Sequence, residues 1–396
     1  MHALSNVRVV DLTEALAGPY CTMMLGDLGA EVVKIERPGA GDQSRLWGAR
    51  LPGGESAYFC AANRNKRSLT LNIQAEAGRA VLYRLLESAD VFVCNIPRDE
   101  SLRRAGLEVE TVRARFPRLI YASITGYGRS GPNAGRSGYD LVAQGEAGLM
   151  SVTGAADSAP IRYPIPLADM TTGLYASLGI LAALRVRDQT GQGQFIDLSL
   201  LEAQSAYLTV LAGDYFATGK APGPIGNTHP GIVPYQVFKT ADKDVVVAVG
   251  SEKQWRQFCD VLGFGPEVRD DPRYETNPAR LKHRDELVSL LQARLRQFAS
   301  ADLLPRLQAA EIPCGPINGV ADSLADPHYV ARGNLVELEH PTAGTVRSLG
   351  NPVRLADTPP TYRLPPPRLG EHTDEVLAGL GYGAEAVAGM RRSGVV

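Results

Sequence analysis

The feature that most constrains this chain is a βαβ unit written into residues 7–35. Val7 to Leu12 reads as a strand, Gly18-Pro19 leads into a helix from Tyr20 to Leu28, Gly29 closes it, and Glu31 to Ile35 is a second, β-branched strand. The alternation continues with a helix at Ala75–Ser88 and strands at Asp90–Cys94 and Leu119–Ile124. Further on come a helix from Met170 to about Arg187, a strand at Gln194–Leu200 and a helix from Leu201 to about Thr218. Strands joined through a helix run parallel, so repeated βα units predict an α/β fold with a doubly wound, Rossmann-like large domain.

With 396 residues there is room for a second domain. The Pro/Gly stretch Lys220–Gly226 marks a linker. Beyond it, Pro234–Lys239 and Val245–Val249 flank a turn and predict a hairpin. Helices near Glu252–Leu262, Ala279–Gln297 and Ala301–Glu311 complete a smaller α+β domain. From about Leu335 the chain is Pro-rich and extended, then ends in short helices near Thr373 and Ala384 expected to pack on the first domain. The expected boundaries are 1–220 for the large domain, 221–330 for the small one with its linker, and 331–396 for the return.

Charge narrows the partners. Lys+Arg number 41 against 43 Asp+Glu, a net charge of -2, so no global field favours nucleic acid or an anionic membrane surface. An anionic ligand has to be met by a local basic cluster. The five cysteines are scattered without CxxC pairing, and no HExxH or His-x3-His pair occurs, which argues against a disulfide framework or a zinc site. No charged-then-apolar leader precedes the first strand, and no 18-residue apolar run suggests a membrane span, so the expected location is cytoplasmic.

The βαβ start invites a dinucleotide reading. Its first turn, Asp11 to Pro19, lacks GxGxxG, and Pro19 stands where a pyrophosphate needs close backbone approach, although Glu36 falls where a ribose-binding acid would sit. Other residues carry more chemistry. Pro166-Leu167-Ala168-Asp169 sets a carboxylate at the start of a helix. An N-cap position there would surround Asp169 with free N–H groups and the positive dipole end, keeping it ionised as a carboxylate nucleophile must be. On position alone, simple helix capping is the commoner reason for an aspartate here. Lys34, Arg37, Arg64, Lys66, Arg67, Arg103 and Arg104 recur at strand ends or turns, where such groups suit a polyanion or are merely solvated. Tyr139 lies in a loop after the Leu119–Ile124 strand, and Gly226–Gly231, with His229, is a lid or a plain linker.

These blocks resemble class III CoA-transferases, the family of formyl-CoA:oxalate CoA-transferase. The resemblance runs through Ala17-Gly18-Pro19, Leu28 to Pro38, Asn63 to Ser68, Ser123 to Gly128, Thr190 to Gln194, Ile312 to Pro316 and Leu369 to Thr373. Gly41 to Gly48 and His229 to Gln236 are most similar to the succinyl-CoA:glutarate (hydroxymethylglutarate) branch. The resemblance implies that Asp169 is the nucleophile, with Tyr139 beside the acyl group. It further implies that Arg37, Asn95 and Arg104, together with Leu71 and Lys34, hold coenzyme A. It implies an interlocked homodimer, acyl-CoA and a carboxylic acid as small-molecule partners, CoA thioesters as substrates and no permanently bound cofactor.

The chain departs from the oxalate pattern at Leu16, where a glutamine is expected, and at the His229 loop, which replaces a run of four glycines. Leu16 gives a small dianion fewer hydrogen bonds and suits a longer methylene chain. Arg45 and Arg162 are the candidates for the distal carboxylate of a dicarboxylic acid, because that group needs a fixed cation. The expected activity is CoA transfer from succinyl-CoA to a dicarboxylate such as glutarate. The α-methylacyl-CoA racemases of the same superfamily place a proton-shuttling His in the segment where this chain has Tyr139. A phenol, with a reference pKa of about 10, is a poor proton acceptor at pH 7. Thioester hydrolysis is a second alternative.

Overall fold

A computed structural model describes residues Met1–Val396. The chain forms two compact units: one takes Met1–Met150, Arg162–Lys220 and Val330–Val396, the other Ser151–Ile161 and Ala221–Tyr329. In the first, β1 (Arg8–Leu12), β2 (Glu31–Glu36), β3 (Lys66–Thr70), β4 (Val91–Cys94), β5 (Ile120–Thr125) and β6 (Phe195–Ser199) form one parallel sheet in the order β3-β2-β1-β4-β5-β6. Its helices are α1 (Ala17–Asp27), α2 (Ala57–Ala61), α3 (Glu76–Glu87), α4 (Asp99–Ala105), α5 (Val109–Arg115), α6 (Asp140–Glu146), α7 (Leu167–Thr190), α8 (Leu200–Ser205) and α9 (Thr209–Thr218).

Both faces of the sheet are covered, which is why its strands are apolar almost throughout. Val10, Phe92 and Tyr121 pack with Val81, Leu82, Leu85 and Leu102 on one side. Val9, Val93 and Ala122 pack with Cys21, Leu25, Ala176 and Ile180 on the other. Each fully buried Leu or Ile there contributes about 2 kcal/mol. Strand β3 escaped the sequence reading because Lys-Arg-Ser-Leu-Thr looks like a solvated turn, yet it pairs parallel with β2. Its Lys66 ammonium is buried on Asp11, 3.0 Å away, so this charge belongs to the interior.

Helix α7 begins at Leu167, earlier than the sequence pattern indicates. Its buried face is small: Ala168, Thr172, Gly173, Ala176, Ile180 and Ala183. A Cβ on Gly173 would stand 2.7 Å from the Ala17 carbonyl oxygen, so only glycine lets α7 lie this close to α1. Leu174 and Leu178, whose helical spacing would suggest a buried stripe, face outward, Leu178 being 63% exposed. The absence of an apolar stretch needs correction too. By length and composition α7 is long and apolar enough to cross a bilayer, its leucines, Ile180 and alanines sustaining the hydropathy across interrupting Thr, Ser and Gly; half of that stretch is buried inside the fold. The helix expected over Leu201–Thr218 breaks at Ala206–Leu208 into α8 and α9.

In the second unit, β7 (Tyr235–Lys239), β8 (Asp244–Ala248) and β9 (Cys314–Pro316) form an antiparallel sheet. Val245, Val247, Trp255, Phe258, Leu291 and Leu303 fill its core. The expected helix at Ala279–Gln297 is two helices separated at His283. Returning to the first unit, the segment read as extended opens with a hairpin, β10 (Leu335–His340) and β11 (Gly344–Leu349). The last helices, Thr373–Gly379 and Ala384–Arg392, place Val376, Leu377 and Val387 in the core beside α3, and Val395 joins them from the segment that follows.

Candidate active site

A cavity of about 1030 Å³ lies at the carboxyl ends of the parallel strands. Its walls are the segments that follow them: Thr13–Ala17 after β1, Arg37–Pro38 after β2, Leu71–Gln74 after β3, Asn95–Pro97 after β4 and Gly126 after β5. Ligands of open α/β sheets bind at this edge. With strands about 4.8 Å apart, the four gaps from β3 to β5 span about 19 Å, room for a long, extended ligand.

Asp169 lines this cavity from the first turn of α7. It is the third helical residue; the cap position belongs to Pro166, which makes no side-chain capping bond. No protein donor hydrogen-bonds its carboxylate. Burial, and then the negative charge of Asp140, push its pKa up to about 7. The sequence reading had the helix N-terminus keeping this group ionised. A helix dipole offers about 0.3–1 kcal/mol, whereas three pKa units correspond to about 4 kcal/mol, so desolvation wins.

Asp140 also holds the lead-in to α7. Its Oδ1 accepts from Ala168 N–H at 2.7 Å, and its Oδ2 accepts from Gln144 Nε2 at 2.7 Å. Gln144, fully buried, accepts from Tyr163 N–H through Oε1. Tyr139 lines the cavity immediately before α6. The backbones of Gly126 and Gly138 cross beside it so closely that a Cβ on Gly126 would meet Gly138 Cα at 2.6 Å.

Beneath the cavity floor lies a buried ion network. Asp11 pairs with Lys66 and accepts from Thr13 and Thr22 hydroxyls. Against the cost of burial, Lys66 and Lys34 hold Asp11 down to about 2. Asp42 pairs with Lys34 at 2.9 Å and accepts from the N–H groups of Ala15 and Ser44. Ala15 has φ 70°, a strained conformation for a residue with a Cβ, and its N–H bond to Asp42 fixes it.

This network corrects two assignments. Lys34 is completely buried, its ammonium held by Thr13 O at 2.7 Å and by Asp42, so it shapes the floor and has no surface to offer coenzyme A. Arg45 is not available for a substrate carboxylate. Its guanidinium makes two 2.7 Å bonds to Glu36, stacks 3.7 Å from the Phe59 ring centroid and stays outside the cavity lining.

The other candidates fall differently. Leu16, Leu71, Arg37, Asn95 and Arg162 line the cavity. Arg37 is 63% exposed and pairs with Glu14. The Asn95 amide is used at both ends by the Glu14 backbone, as acceptor at 3.1 Å and donor at 2.9 Å, so it fixes the wall. Arg162 lines the cavity without an ion pair. Arg104 is on the surface of α4 beside Glu100, one turn beyond the cavity-lining Ser101. His229 belongs to the second unit, where its Nδ1 accepts from Gly231 N–H at 3.0 Å and its ring lies against Tyr235.

Sequence reasoning missed Gln43, Trp47, Tyr58 and Asp140 as cavity residues. Trp47 and Tyr58 meet edge to face with centroids 5.4 Å apart. Burial and the negative charge of Asp169 raise the Tyr58 hydroxyl to about 12, so it stays a donor at neutral pH. An acid directly after Tyr139, opening a helix, was the available signal for Asp140; nothing local distinguished Tyr58.

Known proteins match this chain over nearly its whole length. The model of CoA-transferase family III matches residues 4–373. The succinate–glutarate CoA-transferase of Agrobacterium fabrum is 41% identical over 95% of both chains. The succinyl-CoA:glutarate CoA-transferase of Mus musculus is 42% identical over all of this chain and 91% of its own. The acetyl-CoA:oxalate CoA-transferase of Acetobacter aceti is 37% identical over 92% of each. A crystal structure of a CAIB/BAIF family protein from Brucella suis superposes with a TM-score of 0.87 at 39% identity, covering 96% of this chain and 100% of that one. A cavity along the sheet edge with one unpartnered carboxylate, carried on a chain matched from end to end, thus makes this protein a CoA-transferase of family III.

Proposed function

We propose that the protein transfers coenzyme A from succinyl-CoA to a five-carbon dicarboxylate such as glutarate, with Asp169 as the nucleophile. The observation that carries this reading is the Asp169 carboxylate, free of protein hydrogen bonds at the wall of a cavity long enough for the CoA arm. The ionised carboxylate attacks the thioester carbonyl. The C–S bond breaks, leaving an aspartyl mixed anhydride and CoA thiolate. The thiolate attacks the aspartyl carbonyl, forming an aspartyl–CoA thioester and releasing succinate. The acceptor carboxylate attacks that thioester, and the returning thiolate takes up the acceptor's acyl group, regenerating Asp169. Each step exchanges one acyl–heteroatom bond for another, so the thioester's energy is retained wherever water is excluded.

Arg162, the cavity cation without an ion pair, is the group we assign to the acceptor's distal carboxylate. Leu16 faces the methylene chain. The exposed apolar side chains of α7 and α9, among them Leu178, Val210 and Phe216, support a homodimer that covers them.

The test mixes the protein with succinyl-CoA and single acids in deuterated water and follows acyl-CoA species by mass spectrometry. Glutaryl-CoA formed by the native protein and absent with Asp169→Ala supports the proposal. Free CoA without exchange makes the protein a hydrolase. A carboxyl titrating near 7 also suits proton exchange next to a thioester, the racemase chemistry, so a 2-methylacyl-CoA is included. Deuterium at its α-carbon without acyl exchange overturns the transferase reading. Arg162→Ala is expected to raise KM for glutarate about tenfold, a loss of about 1.4 kcal/mol, while leaving a monocarboxylate unaffected.

A further inference from the structure

The cavity has one wall that belongs to no strand end. Gly394, from the segment after the last helix, stands among its lining residues beside Asn72, Ile73 and Gln74. The segment is held in place from both sides. Asn72 N–H donates to Val395 O at 2.7 Å, and Val395 N–H donates to Met390 O at 2.8 Å. Val395 is buried in the same core cluster as Leu71, so the anchor lies next to the exposed Gly394. The helix before it ends in Arg391 and Arg392. Arg391 pairs with Asp374, whereas Arg392 has no carboxylate partner.

This wall stands at the β3 end of the sheet edge. Asp169 enters the cavity from the other face of the sheet: its neighbour Ala168 packs in the core with α1, whereas Val395 packs in the core beside α3. A thioester reacting at Asp169 extends its other end toward β3, and in coenzyme A that end is the phosphorylated nucleotide. We infer that the C-terminal segment Arg392–Val395 forms part of the binding site for the nucleotide end of coenzyme A, with Gly394 as the residue it presents to the cavity. This rests on the CoA-transferase reading and adds an element at the far end of the chain. A segment anchored by a buried valine gives the ligand a rigid wall without a long side chain to order.

Gly394 offers a clean probe. Its φ is +68°, a region that Asn and Asp tolerate better than other residues with a Cβ, and a Cβ there meets nothing within 4 Å. Gly394→Asp and Gly394→Asn therefore differ in charge and hardly in shape. Binding of free CoA is measured by calorimetry for the native protein and both variants. The expected result is a Kd about tenfold weaker for Gly394→Asp and within about twofold of native for Gly394→Asn. Transfer from a succinyl thioester of N-acetylcysteamine, which lacks the nucleotide, is expected to be equal in all three. Native binding with equal Kd values for the two variants overturns the inference. So does equal weakening in both, which places the effect in the fold of the tail. A native protein that binds no CoA overturns the transferase reading itself, a distinct outcome.

Discussion

Two aspartates flank the same cavity and behave in opposite ways. Asp42, under the floor, is surrounded by the Lys34 ammonium and the N–H groups of Ala15 and Ser44; despite burial, these hold its pKa below the usual carboxylate range. Asp169, in the wall, is given no donor and faces Asp140, and it rises to about 7. Burial alone does not separate them. The supply of partners does: a carboxylate held by an ammonium and backbone donors positions the loop around it, and one left without donors stays available to a ligand in the cavity.

The sharpest way to break the comparison is to remove each carboxylate in turn. Asp169→Asn is expected to reduce acyl exchange by on the order of 10³ or more while CoA still binds, since no anhydride forms on an amide. Retention of more than a tenth of native turnover would remove Asp169 from the mechanism. Asp42→Ala is expected to act on the fold. It leaves Lys34 buried without its carboxylate and frees the strained Ala15, at a cost of about 3–5 kcal/mol read from urea denaturation. Lys34→Met with Asp42→Leu, which removes both charges together, should recover much of that loss. If Asp42→Ala unfolds no earlier in urea than the native protein, the floor network is not what shapes this loop.

The same contrast fixes a sign in stability. Asp169 has a folded pKa above its unfolded value. The stability it contributes is therefore present below about pH 4 and lost as pH rises through 7. Asp169→Asn is expected to raise Tm at pH 8 relative to the native protein by a few degrees, with a much smaller gain at pH 5. Because the group is partly open to the cavity, the energetic difference is about 2 kcal/mol, below the full shift. Equal Tm differences at the two pH values would mean that Asp169 ionises freely.

The sequence made the sheet legible wherever apolar strands alternate with amphipathic helices, as at β1, β2, β4 and β5. It hid β3, because Lys66 looks solvated until Asp11, two strands away on β1, is known to hold its ammonium, and that pairing joins residues 55 apart. Asp169 was legible as a residue, from a local run and a family resemblance. Its protonation was not, because that depends on Asp140 and on cavity walls from five strand ends. Arg45 was misread for the same reason: Glu36 and Phe59 occupy its guanidinium, and neither is marked by spacing. Local pattern carries elements; long-range ion pairing decides which charges remain available.

The finest test of the contrast is Asp140→Asn. The ionisable groups that line the cavity with Asp169 are Glu14, Glu36 and Arg37 at and beyond the ends of β1 and β2, Tyr58 from α2, Tyr139 and Asp140 at the start of α6, and Arg162 ahead of α7. Of these, the negative charge raising its pKa is that of Asp140. The amide oxygen of Asn still accepts from Ala168 N–H, so the start of α7 stays tethered. The amide nitrogen would face Gln144 Nε2, a mismatch read separately as a lower Tm. With the charge gone, Asp169 ionises more easily. The rising limb of kcat/KM against pH is expected near 7 for the native protein and to move down by up to about one unit in the variant while the plateau is kept. A midpoint that does not move would leave desolvation as the whole cause of the shift, and Asp140 as a tether for α7 with no electrostatic part in the reaction.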